Sequence, residues 1–424
     1  MKNNIILTKA SKSVKGTVHL TGSKSECNRA LIIEALSHGK VKVENISSAE
    51  DTITLAGLLR SSNAVQELKG NPVLEANVGP AGTAMRFLTA YFTLLEEAEI
   101  ILTGSERMRQ RPIAILVDAL RELGANIEYT GNEGFPPIRI KGGFAQRTHN
   151  INIKGDVSSQ YITALLLIAA RLPLGLRLQV TDELTSRPYV EMTLAMLRLA
   201  GVYYTWKDNT ITVPHQEFTP TSLYIEPDWS AASYWYAIAA LADEAELFLP
   251  GLTQYSLQGD STITEMMANF GITSQFKNGG VYLQKETKPL IRKIFDMKEC
   301  PDLAQTVIVV CAALGHDATF TGLETLKIKE TDRVKALQNE LAKIGVKLIE
   351  KGQVYKLDCS GKFIPERIFI NTYEDHRMAM AFAPLALLIN ALEIEDAQVV
   401  EKSYPAFWKD LESVGFVVEV KGQR

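Results

Sequence analysis

Five stretches share one grammar, a short amphipathic segment that stops at a glycine and passes directly into an alternating strand: "LRELGANIEY", "LRLAGVYYTW", "MANFGITSQF", "LAKIGVKLIE" and "LESVGFVVEV". Their glycines, Gly124, Gly201, Gly271, Gly345 and Gly415, are separated by 77, 70, 74 and 70 residues. That spacing is too regular for chance in a chain without low-complexity sequence, and it marks an internal repeat whose outer helix is stopped by a C-terminal glycine. An earlier copy is expected at "LAGLLRSSNAV", which lacks the glycine.

Upstream of each copy runs a more apolar segment followed by a strand: "NRALIIEALSHGKVKVEN", "AMRFLTAYFTLLEEAEIILTG", "QYITALLLIAARLPLGLRLQV", "AASYWYAIAALADEAELFLPG", "AQTVIVVCAALGHDATFTG" and "RMAMAFAPLALLINALEIED". Helices apolar over most of their circumference are buried ones. Six units are therefore expected, each packing an inner and an outer helix against β-strands, an α/β architecture. At 424 residues the chain is too long for one ordinary domain, so two are expected.

A net charge of −4 and the lack of a Lys/Arg-rich block argue against nucleic acid or an anionic membrane as the main partner. Any anion site must be a local pocket. Cys27, Cys300, Cys311 and Cys359 form no CxxC pair, which fits a reduced cytoplasm and suggests neither a zinc knuckle nor a redox motif. The opening "MKNNIILTKA" is too short in apolar residues for a signal peptide, and "MAMAFAPLALLI" is interrupted by Pro384, so no membrane span is expected.

Just before the six inner segments stand "GSKSECNR", "GPAGTAMR", "DVSSQ", "EPDWSAAS", "CPDLAQT" and "YEDHR", where most of the unusual polar chemistry falls. Helix N-termini offer unpaired N–H groups and the positive end of the dipole, so several aimed at one place would cradle an anion without a metal. Ordinary capping accounts for Ser, Thr and Asp there. It does not account for Lys24, Arg29, Arg86 and Arg377 on ends that are already positive.

"GSKSECNR" is no P-loop, since GxxxxGK[ST] is absent. "GPAGTAMR" adds Gly82 and Arg86, and "ERMRQRP" puts Arg107, Arg109 and Arg111 before Pro112, a residue suited to opening the next helix. Either a solvated charge run or an arginine fork for an acidic ligand fits that triplet. "IKETDRVKAL" places Lys329 and Arg333 four apart, on one face if the stretch is helical, with Glu330 within reach of Arg333; a plain helix start capped by Thr331 and Asp332 is the alternative. Asp302, the Asp375–His376–Arg377 run and Lys402 complete the set, and the six scattered histidines have no metal-ligand spacing.

Together "GSKSECNRAL", "AGTAMR", "RMRQRP", "VSSQ", "SRPY", "IKETDRV", "DHRMAM" and "KSYPAFW" occur in an order that resembles the enolpyruvyl transferase family, in its shikimate-phosphate branch, nearly end to end. The resemblance implies a two-domain clamp of six βαβαββ-type units, three per domain, an inside-out α/β barrel closing on a cleft lined by helix N-termini. Its boundaries put residues 21–226 in one domain and residues 1–20 with 227–424 in the other, the N-terminal strand crossing back.

The implied reaction joins the enolpyruvyl group of phosphoenolpyruvate to the 5-hydroxyl of shikimate 3-phosphate and releases phosphate, with no cofactor or metal; the chain itself shows no exposed heptad or apolar stripe that demands a partner, so a cytoplasmic monomer is expected. By resemblance Glu330 protonates the methylene carbon, Asp302 accepts the hydroxyl proton and Lys24 contacts both substrates. Shikimate 3-phosphate is assigned Lys24, Ser25, Arg29, Ser158, Ser159, Ser186, Tyr189, Asp302 and Lys329. Phosphoenolpyruvate is assigned Lys24, Gly82, Arg111, Gln160, Arg333, Arg377 and Lys402.

The chain departs from the family pattern at Pro80, Phe87 and Thr325. Gly82 is kept, which implies a pocket open to the analogue glyphosate. Two other readings compete. A sister enzyme acting on UDP-N-acetylglucosamine carries a cysteine in the loop that here reads "GSERMRQRP", without one. A non-catalytic repeat scaffold for a phosphorylated partner would need neither Glu330 nor Asp302.

Overall fold

The computed structural model describes residues 3–66, 73–96 and 98–421; Met1, Lys2 and Glu97, which fall in stretches quoted above, lie outside the described residues. The chain separates into two compact units, a first of Lys24–Ile225 and a second of Met1–Ser23 with Glu226–Arg424.

The first unit contains α1 (Lys24–Leu36), α2 (Glu50–Gln66), α3 (Gly82–Thr93), α4 (Ala114–Leu123), α5 (Ser159–Ala169) and α6 (Arg187–Leu199). Helices α1, α3 and α5 are buried over most of their surface, whereas α4 and α6 bury one face and show the other to solvent. Outside them stand the sheets. Strands Val73–Asn77, Glu99–Thr103, Ile138–Lys141 and Asn126–Tyr129 make one, and Asn150–Lys154, Leu176–Thr181, Thr210–Val213 and Thr205–Lys207 another. In each the first pair is parallel across an inner helix, and the last pair is a hairpin that follows an outer helix.

The second unit repeats the plan with α7 (Trp229–Leu241), α8 (Ile263–Ala268), α9 (Ala304–Leu314), α10 (Arg333–Ala342), α11 (His376–Phe382) and α12 (Phe407–Ser413). Here α7, α9 and α11 are the buried inner set. Pro384, which has no N–H to give, ends α11 early and the chain continues as a 3-10 turn, Ala383–Leu387. Two strands are supplied from the N-terminus: Ser13–Thr17 lies parallel to Glu244–Pro250, and Ile5–Thr8 sits between Ala391–Ile394 and Val417–Val420. The chain leaves this unit after Ser23 and returns at Glu226, and Ser23 N–H donates to Glu226 O at 2.8 Å.

All five repeat glycines have positive φ, from 73° at Gly345 to 120° at Gly124. A Cβ at Gly271 or Gly345 would come 2.0 Å from the carbonyl oxygen of Glu286 or Gly361, each just past the hairpin that follows, so both conformation and space demand glycine there. The Gly415 copy takes its fourth strand, Ile5–Thr8, from the N-terminus, and the copy without a glycine has no hairpin among the described residues. Its sheet has only Val41–Glu44 and Thr221–Tyr224.

The edge this leaves on Val41–Glu44 is blunted by its own chain, because Ser37 Oγ accepts from Val41 N–H at 3.0 Å and Glu34 Oε1 from Val43 N–H at 3.3 Å. A groove of about 1530 Å³ runs alongside, lined by Lys42, Arg60, Tyr91 and Phe144 among others, and no candidate site residue lines it.

Candidate active site

Each inner helix begins at one of the polar motifs: α1 at Lys24, α3 at Gly82, α5 at Ser159, α7 at Trp229, α9 just after Asp302, and α11 at His376. The candidate side chains lie partly in the first unit and partly in the second.

In the first unit, Lys24 adds charge to the positive end of α1, and Asp51 balances it: Nζ lies 3.0 Å from Oδ2 of this buried carboxylate in the first turn of α2. Sequence reasoning missed Asp51, because an acid in a first helical turn is ordinary dipole chemistry. Arg29 is buried one turn on. Its Nε donates to Thr193 Oγ1 at 2.9 Å, Nη1 to Ser25 O at 2.7 Å and Nη2 to Tyr189 O at 3.3 Å. The rings of Phe87 and Tyr189 flank it at 5.5 and 5.8 Å. Burial, with these bonds running to a hydroxyl and carbonyls rather than to a carboxylate, pulls its pKa down to about 10. Phe87, one of the departures from the family pattern, thus serves as a wall for Arg29.

Arg111 is the buried arginine of its triplet, with Arg109 exposed and Arg107 between. Its guanidinium lies so close to Gly82 that a Cβ there would meet Nη1 at 2.7 Å. Pro112 does not open the next helix, which starts at Ala114; its carbonyl instead accepts from Arg86 Nη2 at 3.1 Å and from Tyr161 OH at 2.6 Å. Arg86 also donates to Gly82 O at 3.2 Å. It is therefore a strut that fixes the Arg111 loop against α3 and α5.

Ser158 caps α5, its Oγ accepting from Gln160 N–H at 3.3 Å, with Ser159 buried beside it. Ser186 stands before α6 with φ of 55°, a left-handed conformation costly for a residue with a Cβ. One turn into the same helix, the Tyr189 carbonyl meets Arg29.

In the second unit, Arg333, the first residue of α10, joins three carboxylates. Nε donates to Asp375 Oδ2 at 2.7 Å, Nη2 to Glu330 Oε2 at 3.0 Å and Nη1 to Asp302 Oδ1 at 3.2 Å. Asp375 caps α11, its Oδ1 accepting from Arg377 N–H at 2.9 Å. Arg377 returns to the cluster through Nη2, 2.8 Å from Asp302 Oδ2, and through Nη1 to Tyr234 OH at 3.2 Å. Lys402 Nζ lies 3.7 Å from Glu330 Oε1.

Burial alone would raise the pKa of Asp302, but Arg377, Lys329 and Arg333 outweigh it and hold the carboxylate well below the usual range. The Arg333 guanidinium, for its part, is held charged by Asp375, Glu330 and Asp302 against its burial.

The helical face expected for Lys329 and Arg333 does not form. Lys329 is extended, at the end of the 3-10 turn Glu324–Ile328 that contains Thr325, and α10 starts only at Arg333, behind the cap of Asp332. Glu330 reaches Arg333 across that loop rather than along a helix. Sequence reasoning also left Asp375 without a role and missed Ser230, Tyr234 and Asp260. The first three lie inside motifs already singled out, and "DHR" before a buried helix was the available signal for Asp375.

Three repeats to a unit, with acids and forked cations gathered where buried helices begin, are the arrangement expected of an enolpyruvyl transferase. The family described as EPSP synthase (3-phosphoshikimate 1-carboxyvinyltransferase) matches residues 8–411, and the chain belongs to it. It is 46% identical over 417 residues, 98% of each chain, to the 3-phosphoshikimate 1-carboxyvinyltransferase of Bacteroides fragilis YCH46. It is 34% identical to that of Haemophilus ducreyi, over 95% of this chain and 96% of the relative.

In fold it is similar to EPSP synthase from Acinetobacter baumannii, with a TM-score of 0.77 at 20% identity, covering 99% of this chain and 100% of the other. The enolpyruvyl transferase NikO from Streptomyces tendae gives 0.71 at 14% identity, with 99% of both chains covered.

Proposed function

We infer that the chain moves the enolpyruvyl group of phosphoenolpyruvate to the 5-hydroxyl of shikimate 3-phosphate with release of phosphate, a step of the shikimate pathway toward chorismate and the aromatic amino acids, and we propose a part for each side chain above. In the first unit, Ser25, Arg29, Ser158, Ser159, Ser186 and Tyr189 take shikimate 3-phosphate, Gly82, Arg111 and Gln160 take phosphoenolpyruvate, and Lys24 serves both. In the second unit, Asp302 and Lys329 take shikimate 3-phosphate, while Arg333, Arg377 and Lys402 take phosphoenolpyruvate.

Glu330 gives a proton to the methylene carbon, and positive charge develops on the adjacent carbon. Asp302 accepts the proton of the 5-hydroxyl as its oxygen bonds to that carbon, giving a tetrahedral intermediate. The carbon–oxygen bond to phosphate then breaks, and loss of a methyl proton restores the double bond. Held by three cations, Asp302 is a weak base. An acidic substrate that draws Arg377 and Arg333 onto its own oxygens relieves that hold, so binding of phosphoenolpyruvate raises the basicity of Asp302 when it is needed. The cations meanwhile offset repulsion between two anionic substrates.

The observation that carries this reading is Arg333, which ties the proposed acid and the proposed base to one guanidinium. The test offers phosphoenolpyruvate with shikimate 3-phosphate or with UDP-N-acetylglucosamine and follows phosphate. Release with the first acceptor alone is expected. Release with the second, or none with either, overturns it.

We further propose a cytoplasmic monomer inhibited by glyphosate. Supporting this are a Gly82 without a side chain beside Arg111 and the observation that no helix among the described residues is long and apolar enough to cross a membrane. A titration of rate against glyphosate that shows no inhibition at high concentration rejects the analogue.

A further inference from the structure

Behind the second cluster lies a carboxylate that the reaction above does not use. Asp260 sits fully inside the unit, in the 3-10 turn Gly259–Thr262, at 4% exposure. The turn is pinned to the start of α7, because the neighbouring Gln258 accepts from Trp229 N–H through Oε1 at 2.9 Å and donates to Pro227 O through Nε2 at 2.9 Å. This pinning presses Asp260 Oδ2 against the hydroxyl of Ser230, in the first turn of α7. The other side of that hydroxyl faces Arg377, whose Nη2 donates to Ser230 Oγ at 3.4 Å and to Asp302 Oδ2 at 2.8 Å.

A hydroxyl has one proton to give and lone pairs to accept with. With Asp260 as its acceptor, Ser230 turns its lone pairs toward Arg377. The guanidinium is thereby held from several directions: Asp302 Oδ2 and Ser230 Oγ on Nη2, and Tyr234 OH and Asp302 O on Nη1. Asp228 shares the corner, accepting from Ser230 N–H at 2.8 Å. Asp228 is the N-cap of α7, and burying Asp260 near Asp302 as well is costly.

We infer that Asp260, acting through Ser230, is a positioning residue that fixes the plane of the Arg377 guanidinium against Asp302 for the arriving phosphoenolpyruvate. The inference rests on the assignment of Arg377 to phosphoenolpyruvate. A fork aimed in advance binds a carboxylate or phosphate without first losing rotational freedom, so loosening it weakens binding of that one substrate.

The test measures KM for each substrate and kcat in Ser230→Ala, Asp260→Leu, the double variant and Asp260→Asn, with melting temperatures alongside. Ser230→Ala and Asp260→Leu should each raise KM for phosphoenolpyruvate by roughly tenfold, the loss expected for one hydrogen bond to a charged group, with a smaller change in KM for shikimate 3-phosphate. The double variant should be no worse than the poorer single one, because the two residues act along one line. Asp260→Asn keeps an acceptor and should fall between the parent and Asp260→Leu.

A folded Ser230→Ala enzyme with parental KM for phosphoenolpyruvate overturns the inference, as does a loss confined to kcat and melting temperature, the mark of a merely structural residue. Arg377→Lys separates this failure from that of the underlying assignment: a parental KM for phosphoenolpyruvate in that variant removes Arg377 from the substrate.

Discussion

A Cβ placed on Gly82 meets Nη1 of Arg111 at 2.7 Å and its Cζ at 3.2 Å. The obstructing atoms are the far end of an arginine, which can yield without moving backbone. Gly82→Ala is therefore expected to fold with nearly the parental melting temperature while turning Arg111 out of its place. Steady-state kinetics should show KM for phosphoenolpyruvate raised roughly tenfold, the cost of one disturbed charge-assisted contact, and weaker inhibition by glyphosate in parallel. Equal KM values in parent and variant would mean that Arg111 does not serve that substrate.

Asp375 bears on stability before chemistry. It is fully buried and holds Arg333, itself buried, through both carboxylate oxygens. Removing one partner of a buried pair costs about 3–5 kcal/mol when the other charge is left unpaired, and Glu330 and Asp302, which still hold Arg333, make that an upper figure here. Asp375→Ala should lower the unfolding free energy by up to about that amount in urea titration. A loss under about 1 kcal/mol, the range of exposed pairs, would show that Arg333 is solvated or held elsewhere.

Asp260 makes a pH prediction with a definite sign. Burial, then the nearby Asp302, raise its pKa to about 7, while Arg377 and Ser230 oppose the shift and Asp228 adds to it. A carboxyl whose folded pKa lies above its unfolded value contributes stability that is complete below about 4 and is lost as pH rises through about 7. Asp302 runs the opposite way, contributing above the unfolded carboxylate pKa and losing its contribution in acid. Asp260→Asn removes the first effect alone. Relative to the parent, the variant should gain stability from pH 4 to pH 7 and then level off, as read by denaturant titration across pH. A constant difference would place the Asp260 pKa near that of an ordinary carboxylate.

Much of this architecture was legible in the chain because it rests on local rules. A glycine such as Gly345, where a Cβ would come 2.0 Å from a carbonyl oxygen, recurs in sequence because a similar close approach recurs in space at Gly124 and Gly271. The inner helices were visible from their uniform apolarity. Other features depend on contacts distant in sequence. Asp51 meets Lys24 from 27 residues away and Asp375 meets Arg333 from 42, and neither acid differs locally from an ordinary helix cap. Lys329 and Arg333 misled in the other direction, since i,i+4 spacing matters only where a helix exists, and α10 begins four residues too late.

Lys24 should matter to catalysis more than to folding. Its ion pair with Asp51 stands at the start of α1, where the helix dipole already opposes a lysine. Lys24→Met keeps the aliphatic stem and removes the charge. Initial-rate measurements should show kcat/KM lowered by roughly 10²–10³-fold, as when one preorganised donor is lost from an active site, together with a lower melting temperature from the buried Asp51 that loses its lysine. A change under about threefold would leave Lys24 as a partner of Asp51 and nothing more.

Glu330 is proposed as the proton donor in a cluster ordered by Arg333. The most direct measurement is kcat for Glu330→Gln with both substrates saturating. The amide keeps the shape and an oxygen for Arg333 Nη2 but has no proton of the required acidity. In that variant kcat should fall roughly 10²–10⁴-fold, the usual contribution of a general acid, with KM for both substrates within a few-fold of the parent. A variant that retains a parental kcat would contradict this role.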